Sequence, residues 1–420
     1  MSSEDKTYIV KNFDTDVFSF ELVKGEFTDS FRVREVFEEA LLPEYFKSND
    51  LNDGSLEQWL SQRKLPSNRT FVDEFLAKFG LDGKDIAGIL DLSKGLSLND
   101  CYWVVGADFD GKFADYNLYE NPFSEVVGQI AFTGGGSRIA RNFISSPEFT
   151  TGGMLAKCWR RIDGKVCLYK SGTFGYANSG NEPYSEFYAA QLADHMGLDH
   201  VQYDIEKWKG KICSVCPIFT STELSYVPMG TIIPASDHRK GFESTLRYLA
   251  DLNGNIGAAA REAFADMLVF DCLIENTDRH LNNFGMLADS RTGDAITLAP
   301  LFDHGFSLLF HALESELTEL VRKEVPKSPT PALYNDFFLA ARFAGRRHRS
   351  MLRSLLEFSF TPHPIYNVSK YRLGMLSLFV RNRAAMLLER MREVELIRWE
   401  DYCTRRDTES GGIQEPEQLR

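Results

Sequence analysis

The sequence lacks several features that mark particular classes of protein. No apolar run approaches the roughly 18 residues that a membrane-crossing helix needs. The N-terminus has no basic segment followed by an apolar one, so we expect no signal peptide. The sequence also has no internal repeat and no long low-complexity segment. These absences predict a globular cytoplasmic protein with no membrane partner.

The sequence also lacks an excess of basic residues. It has 47 Lys and Arg against 60 Asp and Glu, which gives a net charge of −13. Because sequence-independent nucleic-acid binding depends on cations that neutralise phosphates, we do not expect direct nucleic-acid binding. The arginine-rich stretch 342–353 is interpreted as a solvated helix face.

Cysteine is sparse and its spacing does not indicate a metal site. The seven cysteines are an odd number spread along the chain, which is typical of reduced thiols in a cytosolic protein. Cys213 and Cys216 are spaced as a CxxC pair, but no second Cys or His pair follows at zinc-ligand distance. We therefore expect neither a zinc site nor a redox site there.

Apolar residues make up 43% of the chain and include 32 Phe, enough for large buried cores. The patterns predict an α+β protein with a small β-rich lobe, a larger mainly helical lobe and an extra, mostly helical N-terminal region. The predicted limits are 1–147 for the accessory region and connector, 148–223 for the small lobe, 224–403 for the large lobe and 404–420 for a disordered tail.

Within the small lobe, a hairpin is predicted over 155–170, followed by a helix from Tyr184–Ser185 to Gly197 and strands near 202–205 and 212–219. Within the large lobe, a buried helix is predicted over 258–274. A hairpin over 284–299 and helices over 332–345, 347–358 and 370–400 follow it.

A polar stretch, 276–285, comes directly after the predicted buried helix. Asp278 and Asn283 lie five residues apart in it, so both can face one cavity. An Asp can accept a hydroxyl proton, and an Asn oxygen can bind Mg²⁺. His280 lies between them and is expected to orient the loop, with a role as a base as the alternative. The next hairpin ends at Asp303, which would be a second metal ligand. This order of base, Asn, hairpin and Asp is the order found in protein kinases.

The small lobe supplies residues that could hold phosphates. Thr151, Gly152 and Gly153 precede the first hairpin, and paired glycines let backbone N–H groups approach phosphate oxygens. Lys170 ends the second strand of that hairpin and could reach the α- and β-phosphates. Glu186, in the first turn of the next helix, could hold Lys170 as an ion pair. Together these residues predict ATP- and Mg²⁺-dependent phosphoryl transfer.

At these residues the sequence resembles the HipA-like kinase family, whose bilobal fold is related to protein kinases and phosphatidylinositol 3/4-kinases. The resemblance covers about 148–310 and rests on five pieces: Gly152–Lys157, the strand ending at Lys170, the helix around Glu186, Asn276–Gly285 and Ala299–Asp303. Residues 1–147 match no motif of that family.

The resemblance implies a protein Ser/Thr kinase with Asp278 as base, Asn283 and Asp303 as Mg²⁺ ligands and Lys170 as the ATP-phosphate lysine. It places the segment from Cys216 to Phe219 at the hinge that contacts adenine. It also implies autophosphorylation in the glycine loop, at Thr150 or Thr151, and an antitoxin-like partner protein.

Two other functions remain open from the sequence. The motifs specify ATP and Mg²⁺ but not the acceptor, so a lipid or small-molecule kinase on the same fold is one alternative. A non-catalytic module that binds a partner is the other.

Overall fold

The computed structural model of the chain describes residues 6–25, 29–135, 146–322 and 332–403. The predicted disordered tail, 404–420, falls outside these residues, so that prediction stays untested. The seven cysteines all lie within them, and all are free thiols in this structure.

The accessory region combines a sheet with short helices. Its strands form an antiparallel sheet in the order β3-β2-β1-β4, and Phe18, Phe20 and Trp59 lie in the core between sheet and helices. The elements are β1 (Lys6–Asn12), β2 (Thr15–Val23), β3 (Ser30–Val36), α1 (Glu44–Asn49), α2 (Asp53–Ser61), α3 (Val72–Lys78), α4 (Ile86–Ser93), β4 (Tyr102–Gly106), α5 (Phe113–Tyr116) and α6 (Glu125–Thr133).

The prediction that the N-terminal region is helical from residue 31 to residue 95 was wrong at its start, because residues 31–36 belong to β3. This strand pairs with β2 and is largely exposed, with only Phe31 buried, so its pattern of apolar residues is weak. The accessory region and the predicted connector both contact the large lobe. Asn12 donates a hydrogen bond to the carbonyl of Ser290 at 3.1 Å, and the N–H of Tyr226 donates to the carbonyl of Asn99 at 2.7 Å.

The small lobe is an antiparallel sheet in the order β5-β6-β8-β7, with one long helix. The predicted hairpin and helix are present, and Gly197 ends the helix in a left-handed conformation (φ 66°). This is where glycine is favoured at a helix C-terminus. The elements are β5 (Lys157–Ile162), β6 (Lys165–Ser171), α7 (Glu182–Met196), β7 (Asp204–Trp208) and β8 (Lys211–Pro217).

The large lobe is mainly helical and contains a three-stranded sheet in the order β11-β10-β9. The predicted helix over 332–345 is a 3-10 turn, Phe337–Arg342, and the last predicted helix ends at Arg390 rather than near 400. The elements are β9 (Leu224–Pro228), α8 (Met229–Ile232), α9 (Gly241–Asp251), α10 (Gly254–Ile274), β10 (Gly285–Asp289), β11 (Ala295–Leu298), α11 (Glu314–Arg322), α12 (Arg346–Ser354) and α13 (Lys370–Arg390).

One hydrophobic core joins the two lobes. Tyr188 and Leu192 of α7 lie in the same buried cluster as Phe264 of α10 and Val380 of α13. The helix of the small lobe is therefore fixed against the large lobe. Among the described helices, none has the length and apolar composition needed to cross a bilayer. The predicted domain limits stay predictions.

Candidate active site

The loop after α10 is anchored by a buried arginine. Arg279 has no exposed surface, and its guanidinium donates hydrogen bonds of 2.9 and 3.0 Å to the Asp271 carboxylate. It also donates to the backbone carbonyl of Asn283 and, at 3.2 Å, to that of Phe302. One cation therefore links α10, the loop and the segment that leads to Asp303.

Asp278 and Asn283 are held relative to each other by the loop itself. The Asp278 N–H donates to the side-chain oxygen of Asn276 at 3.1 Å, and the Asn283 side-chain amide donates to the Asp278 carbonyl at 2.9 Å. Because its nitrogen is engaged, the Asn283 amide presents its oxygen as the free acceptor. Burial is the main reason why the pKa of the Asp278 carboxyl is raised, and the Asp303 carboxylate also contributes. A raised pKa makes this carboxylate a better proton acceptor.

His280 takes part in the local bonding of the loop. Its Nδ1 accepts a hydrogen bond of 3.2 Å from the Asn282 N–H. This contact fits a loop-orienting side chain, and its role in catalysis stays a prediction.

Asp303 lies where the two lobes meet. Its backbone is left-handed (φ 58°), which is uncommon for a residue with a side chain. Its N–H donates to the Tyr203 hydroxyl at 3.1 Å, and the next N–H, of His304, donates to Glu186 at 2.8 Å. The Asp303 carboxylate accepts a hydrogen bond of 2.6 Å from Lys170 Nζ. Two residues of the large lobe are thus held by side chains of the small lobe.

Lys170 lies between two carboxylates. Its ammonium pairs with Glu186 and with Asp303. Burial alone would lower the pKa of Lys170, but the two carboxylates raise it above its usual value. Burial likewise opposes ionisation of Asp303, yet Lys170 and Lys157 hold the pKa of that carboxyl below its usual range. Lys170 and Asp303 are therefore charged at neutral pH, whereas burial raises the pKa of Glu186 and Lys170 opposes that rise.

The glycine loop leads from Thr151 into β5. A side chain on Gly153 would be strained, because its φ is 86° and Lys157 Nζ occupies the space of a Cβ atom. No atom lies within 4 Å of the corresponding position on Gly152, so the loop is open there. Burial, together with the charge of Lys170, lowers the pKa of Lys157 to about 7.

The predicted hinge begins at the end of β8. Cys216 is buried two residues after Ser214, which pairs with Lys170 across the sheet. The Phe219 ring packs against those of Tyr226 and Phe302, at centroid distances of 5.5 and 5.4 Å. Phe219 of the predicted hinge therefore contacts Phe302, the residue just before Asp303.

The side chains present fit Mg²⁺ and a triphosphate. The described residues contain no group of three or more His, Cys, Asp and Glu side chains arranged to hold a metal. Mg²⁺ commonly uses one or two carboxylates together with substrate phosphates and water. The Asp303 carboxylate and the free Asn283 oxygen could provide such a partial ligand set, and Lys170 could accompany the phosphates.

The structure thus brings Lys170, Glu186 and Asp303 into contact, and it places the loop of Asp278, His280 and Asn283 beside them. The residues that sequence reasoning missed are supporting ones: Asp271, Arg279, Tyr203 and Lys157. The sequence held one indication of the ion pair between Asp271 and Arg279. Asp271 is an acid inside an apolar helix, and Arg279 lies in the polar stretch that follows it.

Comparison with known proteins identifies a similar family and a similar fold. Residues 149–357 match the family model of the HipA-like C-terminal domain. The chain therefore contains a HipA-like C-terminal domain. A search of curated proteins found no similar sequence.

Solved structures of similar fold include the complex of HipA, HipB and operator DNA from the toxin–antitoxin system of Shewanella oneidensis MR-1. The matched chain is 12% identical over 93% of this chain and 100% of its own, with a TM-score of 0.51. An alignment of that extent includes most of residues 1–147, so the fold likeness reaches into the accessory region. The Helicobacter pylori proinflammatory kinase CtkA is 18% identical over 56% of this chain and 94% of its own, with a TM-score of 0.45. The fold is the kinase-like one predicted from the sequence.

Proposed function

We propose that this protein is an ATP- and Mg²⁺-dependent kinase that phosphorylates Ser or Thr hydroxyls of a protein substrate. The observation that carries the proposal is the buried charge cluster between the lobes. Lys170 and Glu186 come from the small lobe, and Asp303 follows the hairpin of the large lobe. This cluster lies within electrostatic range of the Asp278 carboxyl, whose pKa responds to both Lys170 and Asp303.

The proposed mechanism assigns each side chain a separate task. Lys170, held by Glu186, would bind the phosphates of ATP, and Asp303 with Asn283 would hold the metal. Bound Mg²⁺ would neutralise charge on the triphosphate. Asp278 would orient the acceptor hydroxyl and take its proton late in the transfer. Catalysis would come mainly from positioning and charge stabilisation.

The experiment is incubation with γ-labelled ATP and Mg²⁺ in the presence of protein, phosphoinositide and small-hydroxyl acceptors. We expect label on protein, and none with Asp278→Asn. The matched control is Asp294→Asn, which changes an exposed carboxylate in the turn between β10 and β11 and should leave activity unchanged. Label on lipid or a small molecule instead would favour the first alternative. A wild-type protein that does not bind Mg·ATP would favour a non-catalytic module.

Autophosphorylation of the glycine loop is part of the proposal. The Thr150 hydroxyl donates to the Leu96 carbonyl at 2.6 Å, and the Thr151 hydroxyl donates to the Pro147 carbonyl at 2.7 Å. Either hydroxyl would have to break its bond before it could accept a phosphoryl group. Mass spectrometry after incubation with ATP should find phosphate on one of them, and a loop that stays unmodified while substrate is labelled would contradict this step.

The proposed function also includes a protein partner of the antitoxin type. Its support is the fold likeness to the toxin–antitoxin complex that contains HipA and HipB. Location in the cytoplasm stays a prediction from the sequence.

A further inference from the structure

The accessory region holds the glycine loop through one buried arginine. Arg69, which precedes α3, is 4% exposed. Its guanidinium donates to the backbone carbonyl of Thr151 at 3.0 Å and to that of Lys157 at 2.7 Å. It also donates to the carbonyl of Glu148 at 3.3 Å. Both ends of the loop are thus bound to a single side chain that lies outside the two lobes.

The next residue of the accessory region holds the middle of the loop. The N–H and the hydroxyl of Thr70 both donate to the Met154 carbonyl, each at 2.9 Å. Arg69 and Thr70 together therefore bind three loop carbonyls, at positions 151, 154 and 157. We call these two residues the bracket.

The buried charge of Arg69 is compensated locally. Its guanidinium lies 3.4 Å from the Glu148 carboxylate, which also accepts a hydrogen bond of 2.7 Å from the Trp159 N–H. Burial raises the pKa of Glu148 to about 7, and Arg69 opposes that rise. Because an uncompensated buried charge is costly, Arg69 is firmly constrained in this position.

The bracket has a consequence for the opposite side of the loop. In a trans peptide the carbonyl of one residue and the N–H of the next point in opposite directions. With the carbonyls of Thr151 and Met154 drawn towards the bracket, the N–H groups of Gly152 and Leu155 face away from it. Within the described residues, none of the N–H groups from Gly152 to Leu155 donates to a protein atom. Four free donors in succession form an anion-binding concavity.

We propose that Arg69 and Thr70 are positioning residues for nucleotide binding, because they orient the loop N–H groups for the phosphates of Mg·ATP. This inference rests on the proposed function. The accessory region would then contribute to nucleotide binding, because the geometry of the glycine loop depends on residues 69 and 70.

The test compares three variants by calorimetric titration with Mg·ATP. Arg69→Lys keeps the charge but cannot span separated carbonyls, and Thr70→Val removes one hydrogen bond while keeping the backbone N–H. The matched control is Arg63→Lys. Arg63 is also a buried accessory-region arginine, but it donates to Gly95, Tyr102 and Asp100 and not to the loop.

We expect the Kd for Mg·ATP to rise about tenfold in Arg69→Lys and about threefold in Thr70→Val, and to stay unchanged in Arg63→Lys. Amide hydrogen exchange at 152–155 should be slowed by Mg·ATP in the wild type and less so in Arg69→Lys. If Arg69→Lys does not fold, Thr70→Val decides the question.

The outcomes separate this inference from the proposed function. Wild-type affinity in both bracket variants would overturn the inference and leave the proposed function standing. An equal loss of affinity in Arg63→Lys would also overturn it, because the effect would then be one of general stability. A wild-type protein that does not bind Mg·ATP would overturn both.

Discussion

Replacing Arg279 with Met should be among the most damaging single changes in this protein. The substitution leaves the Asp271 carboxylate fully buried without its cation and removes the donors to the carbonyls of Asn283 and Phe302. Breaking a buried ion pair by removing one partner costs about 3–5 kcal/mol. That is a large part of the roughly 5–15 kcal/mol by which a domain is stable.

The assay is urea unfolding followed by tryptophan fluorescence and circular dichroism. We expect Arg279→Met to lower the free energy of unfolding by about 3–5 kcal/mol. The double variant Arg279→Met/Asp271→Leu should recover part of this loss, because it removes the unpaired charge as well. Asp271→Leu alone should also be destabilising, since it leaves the arginine unpaired. If Arg279→Met were as stable as the wild type, Asp271 and Arg279 would not form the buried pair described.

Three further predictions concern the cleft. Lys170→Met should lower kcat/KM for ATP by about 10²–10³-fold in steady-state assays, because Glu186 and Asp303 would face each other without a cation. Near-normal activity of this variant would remove Lys170 from the proposed mechanism. His280→Ala should lower kcat by about tenfold, far less than Asp278→Asn does, because the His280 Nδ1 only accepts a hydrogen bond from the loop. An equal loss of kcat in both variants would instead assign the proton transfer to His280. The pKa of Lys157 is about 7 in the folded protein, against a usual value of 10.5. Between pH 7 and 10.5 the folded protein therefore binds fewer protons at this residue than the unfolded chain does. Lys157 thus makes the free energy of unfolding rise with pH. Urea unfolding of Lys157→Met between pH 7 and 10.5 should show a flatter pH dependence, and a slope identical to that of the wild type would contradict the assigned pKa.

The elements that the sequence predicted well have strong local signals. The hairpin of β5 and β6 has an Asp-Gly turn, and α7 ends at Gly197, so turn and cap chemistry fixed them. The helix α10 was evident from its high content of apolar residues. By contrast, β3 was missed although it pairs with the neighbouring strand β2, because its short sequence has few apolar residues. The 3-10 turn at Phe337–Arg342 packs on α10, which lies far earlier in the chain, and spacing alone does not reveal such a contact.

The same distinction applies to the site. Lys170, Glu186 and Asp303 lie in segments with recognisable patterns, so the ion pair of Lys170 with Glu186 was predicted from order and element type. The direct contact of Lys170 with Asp303 was not predicted. Arg69 had no such signal, because the three carbonyls to which it donates hydrogen bonds lie 79 to 88 residues further along the chain. Tertiary packing, which no local pattern encodes, decides such contacts.

The central claim is tested most directly by measuring transfer from γ-labelled ATP with Mg²⁺ for the wild type, Asp278→Asn and Asp303→Asn, with folding checked by circular dichroism. Label should reach protein only in the wild type, while all three proteins remain folded. A folded Asp303→Asn protein that still transfers phosphate would contradict the assignment of Asp303 to the metal and, with it, the proposed geometry of the reaction.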